Sequence, residues 1–151
     1  MKKQIESFQV IGLAVRTSNE DGRAAIDIPA LWQQFFSEGT LAKIPNRYND
    51  TLYCIYTDYE KDHTRPYTTI LGCRVDRLDN IPEGMVGWTI ESGQFTQYAL
   101  KGDLSTGLVY NKWTEIWQSD LERSFAADFE VYDQRSTDAT NAEVDIFISM
   151  A

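Results

Sequence analysis

Three stretches of this chain repeat in order at one spacing. Ile5-Glu6-Ser7-Phe8-Gln9 aligns with Ile90-Glu91-Ser92-Gly93-Gln94 at an offset of 85. The same shift sets Ala14-Val15 on Ala99-Leu100 and Leu31-Trp32-Gln33 on Ile116-Trp117-Gln118. Further on the offset falls to 76, where Tyr53-Cys54-Ile55-Tyr56 lies against Phe129-Glu130-Val131-Tyr132, so the first copy carries the longer connection. In 151 residues this order means two copies of one supersecondary unit rather than a solenoid. We therefore expect one domain over 1–151, with halves of about 1–80 and 85–151.

Each copy reads as strand, helix, strand, strand. In the first, Phe8 to Thr17 is rich in strand formers, and Leu31, Trp32, Phe35 and Phe36 then fall on one helical face before Gly39. Pro29 suits a first helical turn, with Asp27 as its cap and no helix upstream. Leu52 to Thr57 and Thr68 to Val75 follow as a hairpin around the charged segment Asp58 to Arg65. In the second copy, Gln94 to Leu100 is the strand. Ser105 to Gln118 is the helix, with Val109, Trp113, Ile116 and Trp117 on one face. Phe129 to Asp133 and Val144 to Ser149 close the unit. Met85 to Thr89 is expected as an extra strand between the copies, and the polar segment Asp133 to Glu143 as a mobile loop.

Alternation along the strands sorts side chains into two sets. With Phe129 and Val131 turned to the helix, Glu130 and Tyr132 face the other way, and the repeat adds Cys54 and Tyr56 to their set. In the last strand Val144, Ile146 and Ile148 take the helix side and leave Asp145 and Phe147 opposite. The expected fold is therefore α+β: a pseudo-two-fold duplication, an antiparallel sheet with helices on one face, and a groove on the other. A face bearing Tyr56, Tyr132, Phe147 and Glu130 is too apolar to stand in water and should pack on a ligand, a partner or the other half.

Composition narrows the function classes. Hydrophobic residues at 42% and aromatics at 13% suit a folded soluble protein. A net charge of −9 repels a phosphate backbone, so no direct nucleic-acid binding is expected. Gln4 and Glu6 interrupt the apolar start and no run is long enough to span a bilayer, which predicts a cytoplasmic protein without membrane contact. Cys54 and Cys73 read as reduced, buried small side chains, and with His63 the sole histidine no metal site or cofactor is expected. No GxSxG elbow or phosphate-binding loop is present.

The residues that remain are Glu130 and the aromatics. Glu130 reads either as an exposed strand residue paired with Lys or Arg, or as a carboxylate in an aromatic pocket that would hold a flat cation by charge and ring faces. Trp32, Trp113 and Trp117 fall at helix-core spacing and read as packing, and His63 as part of a solvated loop. Tyr110 and Trp88 fit a core less well and are candidates for a cavity wall.

Beside this reading stands a resemblance. Leu31-Trp32-x-x-Phe35, Ile44-Pro45-Asn46, Tyr53-x-Ile55-Tyr56-x-Asp58-Tyr59-Glu60, Tyr67-Thr68 and Gly72-x-x-Val75 resemble the first half of the bacterial effector-binding domain family, also called gyrase-inhibitor-like. Ile90-x-Ser92-Gly93-x-Phe95-x-x-Tyr98-x-x-x-Gly102, Trp113-x-x-Ile116-Trp117, Phe129-Glu130-x-Tyr132 and Glu143-Val144-Asp145-Ile146-Phe147-Ile148 resemble its second half. The resemblance implies the sensor fold of multidrug-responsive AraC-type and MerR-type regulators. A stand-alone form is expected here, since no basic recognition helix is visible among the 151 residues. In that family an acidic groove residue meets cationic lipophilic compounds, and Glu130 matches its position. The expected function is a binding module for amphipathic, cationic small molecules. Glu130 would be the counter-charge, with Tyr56, Trp88, Tyr110, Tyr132 and Phe147 as walls, and no residue is assigned a catalytic role. The alternatives are a small-molecule hydrolase using the same Glu and an interaction module for a protein partner such as gyrase.

Overall fold

Strand-forming runs build eight strands, and the computed structural model, which describes residues Met1–Ala151, orders them by the duplication. In chain order the elements are β1 (Lys2–Ile5), β2 (Phe8–Thr17), α1 (Ala24–Ser37), the single turn α2 (Thr40–Lys43), β3 (Leu52–Thr57), β4 (Tyr67–Val75) and β5 (Val86–Ile90). They continue with β6 (Gly93–Gly102), α3 (Leu108–Trp117), β7 (Ala127–Tyr132) and β8 (Ala142–Ser149). One antiparallel sheet runs β1-β6-β8-β7-β3-β4-β2-β5. The two halves meet where β3 pairs with β7, and each edge strand is exchanged: β1 pairs with β6 of the second copy and β5 with β2 of the first. The exchange obeys the repeat, because Ile5 opposite Gly93 and Ile90 opposite Phe8 are one pair and its copy under the shift that relates the two halves.

Both faces of the sheet are covered, by different means. On one face α1 sets Leu31 and Phe35 on Ile11, Leu13, Leu71 and Cys73, while α3 sets Trp113 and Ile116 on Ile146 and Ile148. The other face carries no helix. It curls so that Phe8 of β2 and Phe95 of β6 both reach Phe129 of β7, at ring-centroid distances of 5.4 and 5.5 Å. Three strand spacings separate β2 from β7 in the sheet, so contact at that distance needs a concave surface. Gly12 and Gly72 face each other where β2 crosses β4, and a Cβ on Gly12 would lie 2.6 Å from Gly72 Cα. Only glycine permits that approach.

The α+β class, the antiparallel sheet and the duplication match the sequence reading, and four local expectations do not. Phe129 and Val131 face the helix-free hollow, and it is Glu130 and Tyr132 that share the helix side with Cys54, Tyr56 and Ile146. Alternation separates two sets but does not say which one a helix covers, and here both are apolar. The helix α1 starts at Ala24, upstream of Pro29, and Asp27 is no cap: its Oδ2 accepts from the Thr17 hydroxyl at 2.8 Å. The second helix is interrupted at Gly107, whose φ of 80° separates a 3-10 turn at Leu104–Thr106 from α3. The Asp133 to Glu143 segment holds two 3-10 turns capped by the carboxylates of Asp133 and Asp138.

Candidate functional site

Because the sheet is wider than two helices, α1 and α3 leave a trough between them over β3 and β7, so the groove lies on the helix-bearing face and not, as expected, on the opposite one, which is filled by its own aromatic core. It forms a cavity of about 400 Å³, within the range of small-molecule sites. Its walls are Ala25, Ile28, Pro29 and Trp32 of α1 and Val109, Tyr110, Trp113 and Trp117 of α3. The sheet contributes Tyr56, Tyr67, Glu130 and Tyr132, and the connecting loops contribute Tyr59, His63 and Arg123.

Glu130 is 2% exposed and takes part in no ion pair. Three aromatic donors hold it. Oε2 accepts from Trp113 Nε1 at 2.6 Å and from the Tyr56 hydroxyl at 2.8 Å, and Oε1 accepts from the Tyr132 hydroxyl at 2.6 Å. Burial raises the Glu130 pKa above the ordinary carboxylate value, and these bonds pull it partly back. The same burial, with the nearby carboxylate, holds Tyr56 and Tyr132 firmly in the phenol form. Beside them the Cys54 thiol, buried and unbridged, points its sulfur at the Tyr56 hydroxyl 3.4 Å away and is also pushed up by burial.

The rings fit one another edge to face. Tyr56 meets Trp113 at 5.2 Å, Trp32 meets Tyr132 at 4.8 Å, and Tyr110 meets Trp117 at 6.0 Å. Such pairs hold the walls in place while leaving ring faces to the cavity.

Of the residues singled out from sequence, the structure brings Glu130, Tyr56, Tyr110 and Tyr132 to this cavity. It separates the other two. Phe147 lies on the helix-free face, stacked on Phe129 at 4.8 Å, because β8 pairs Phe147 with Phe129 and Ile146 with Glu130. Trp88 pairs with Val10 and packs on the same helix-free core. In the other direction, Trp32, Trp113 and Trp117 are cavity walls as well as packing, and His63 stacks on Trp117 with ring planes 4° apart. A legible signal existed for Trp113, since a buried indole N–H requires an acceptor and an apolar core offers none.

No group of three or more His, Cys, Asp or Glu is gathered as a metal would need, and no helix is long and apolar enough to cross a membrane.

With this geometry in view, the relatives are informative. Residues 3–150 match the family described as integron-associated effector binding protein. The chain is 28% identical over 147 residues to the protein YobU of Bacillus subtilis, covering 92% of this chain and 89% of that one. It superposes on an integron cassette protein of Vibrio cholerae with a TM-score of 0.76 at 26% identity, over 100% of this chain and 95% of that one. A second structure, SAV2435 bound to tetraphenylphosphonium, shares the fold with a TM-score of 0.78 at 19% identity, over 98% of this chain and 91% of that one. The duplicated sheet, the helix-flanked cavity and the matched residues together show that the chain belongs to the integron-associated effector-binding protein family.

Proposed function

We propose that this protein binds an amphipathic organic cation in the cavity between α1 and α3, with Glu130 as its counter-charge. One observation carries the reading: a carboxylate 2% exposed, unpaired by any basic residue, stands in a cavity walled by tyrosines and tryptophans. An ionised carboxylate in such a place is costly, and three hydrogen bonds offset only part of that cost. A cation with flat apolar substituents supplies the missing charge while its rings lie on the aromatic walls. Tetraphenylphosphonium, held by the structural relative SAV2435, is a compound of this kind.

The observations favour a counter-charge over a catalytic base. Three aromatic donors take three of the roughly four lone-pair sites of the Glu130 carboxylate, which fixes the group and leaves little of it open to an attacking water.

The test is titration calorimetry with tetraphenylphosphonium on the wild-type protein and on Glu130→Gln. Binding that weakens at least about tenfold in the variant is expected, as for loss of a desolvated charge pair. Equal affinity in the two proteins would overturn the reading.

A further inference from the structure

The polar hydrogens along the cavity wall are committed within the protein. The Tyr56 and Tyr132 hydroxyls and the Trp113 indole N–H all donate to Glu130. Tyr59 donates to Asp128 Oδ2 at 2.6 Å, and Tyr67 donates to Asn19 Oδ1 at 2.8 Å. Tyr110 stands apart from these, 62% exposed on the solvent side of the wall. The inner wall therefore offers its ligand ring surface and a negative charge, with its hydroxyls turned to acceptors of the protein itself.

The acceptors are as fully engaged as the donors. Glu130 is the one carboxylate on the wall and Asn19 the one side-chain amide. A carboxylate has roughly four lone-pair sites, and three of those on Glu130 are filled. Asn19 Oδ1 already accepts from Tyr67. A protonated primary amine entering this cavity leaves water with its N–H groups and finds at most one free site on Glu130 for them. Buried donors without acceptors are costly, and an ammonium is the more so for being strongly hydrated outside. A centre bonded only to carbon loses no hydrogen bond on entry. It keeps the attraction of the carboxylate, and ring faces are well matched to it.

We infer that the ligand carries its charge on a quaternary centre, a nitrogen or phosphorus bonded to four carbons and bearing no hydrogen, and that Tyr56, Tyr132 and Trp113 impose this choice by filling the Glu130 carboxylate. The inference rests on the reading of Glu130 as counter-charge and names the class of cation it serves. The three donors thus have a second role beside fixing the carboxylate: they leave its charge in the cavity and remove most of its capacity to accept.

Two matched probes test it by calorimetry on the full chain: (4-benzylbenzyl)trimethylammonium and protonated 4-benzylbenzylamine, which differ by methyl groups against hydrogens on one nitrogen. The quaternary probe is expected to bind about tenfold more tightly to the wild-type protein, as for a buried donor spared the loss of its acceptor. Extra methyl contacts alone could give a preference, so Tyr132→Phe and Tyr56→Phe are measured beside the wild type. Each variant keeps its ring, against Trp32 at 4.8 Å or Trp113 at 5.2 Å, and frees one lone-pair site on Glu130. The amine should then gain on the quaternary probe, and the preference should shrink by about threefold or more. A preference undiminished in both variants would overturn the inference. Equal affinity of the two probes for the wild type, or tighter binding of the amine, with both weakened by Glu130→Gln, would overturn it too and leave the counter-charge standing. Binding of neither probe, or affinity indifferent to Glu130→Gln, would overturn both readings.

Discussion

Glu130 of β7 and Cys54 of β3 are register partners across the centre of the sheet, and they also occupy the same position in the two copies of the duplicated unit. The pseudo-two-fold axis thus passes between a carboxylate and a thiol. On one side Tyr132 bonds to Glu130, and on the other its counterpart Tyr56 turns to the same carboxylate and not to its own copy's residue alone. Two equivalent strands have become a single asymmetric charge centre, because one of the two positions holds an ionisable acceptor and the other a small apolar group.

Replacing that acceptor should separate binding from folding. In Glu130→Gln the amide oxygen can still accept from Trp113 and Tyr56, and the amide N–H can donate to the Tyr132 oxygen. We expect the variant to melt no lower than the wild type near neutral pH, while binding of tetraphenylphosphonium weakens at least about tenfold. Calorimetric melting and titration of the same samples check both halves.

The raised pKa of Glu130 also sets a pH dependence. A carboxyl whose folded pKa lies above its unfolded value contributes stability below the unfolded pKa and loses it as pH rises through the folded one. The unliganded protein should therefore lose stability, relative to Glu130→Gln, from the ordinary carboxylate range upward to the raised value. Affinity for the cation should rise over the same window, as the ionised form becomes available. Denaturant melts and titrations across that range, on both proteins, give the two curves.

Trp113 holds Glu130 from α3, so Trp113→Phe removes one of three donors without emptying the wall. Loss of a bond to the charged form raises the carboxyl pKa further. The pH at which cation affinity rises should move upward, and stability should fall by about 1–3 kcal/mol. A pH-titrated binding series and urea unfolding measure these effects.

Asp128 and Arg123 form a buried pair at 0% and 4% exposure, which ties the loop before β7 to the sheet. Asp128→Ala strips four hydrogen bonds and leaves a buried guanidinium without its charge partner. A loss of about 3–5 kcal/mol is expected, read from the denaturant midpoint.

Phe147 serves as a contrast, because it is buried on the face away from the cavity. Phe147→Ala should cost about 3–5 kcal/mol of stability by opening a void against Phe129 and Phe95. Affinity of the folded variant for the cation should stay within about twofold of wild type, since mutations at distant, unshared sites act independently. Titration well below the melting temperature checks it.

Every strand but β1, both helices and their order were legible because local signals carry them: alternation, helical spacing and an internal repeat whose offset of 85 takes β2 onto β6 end to end. The shared face of Glu130, Tyr132, Cys54 and Tyr56 was legible for the same reason, since side-chain parity in a strand is a property of sequence spacing alone. Three things were decided only by tertiary structure. Which parity class the helices cover depends on the curl of the sheet, and both classes here are apolar enough to be buried. Whether Phe147 stands with Glu130 depends on the register of β8 against β7, and a shift of one residue there would exchange it with Ile146. The meeting of His63, Arg123 and the three tryptophans around one carboxylate depends on loops and helices remote in sequence. No local pattern encodes such a convergence, because long-range closure is settled by the packing of the whole chain.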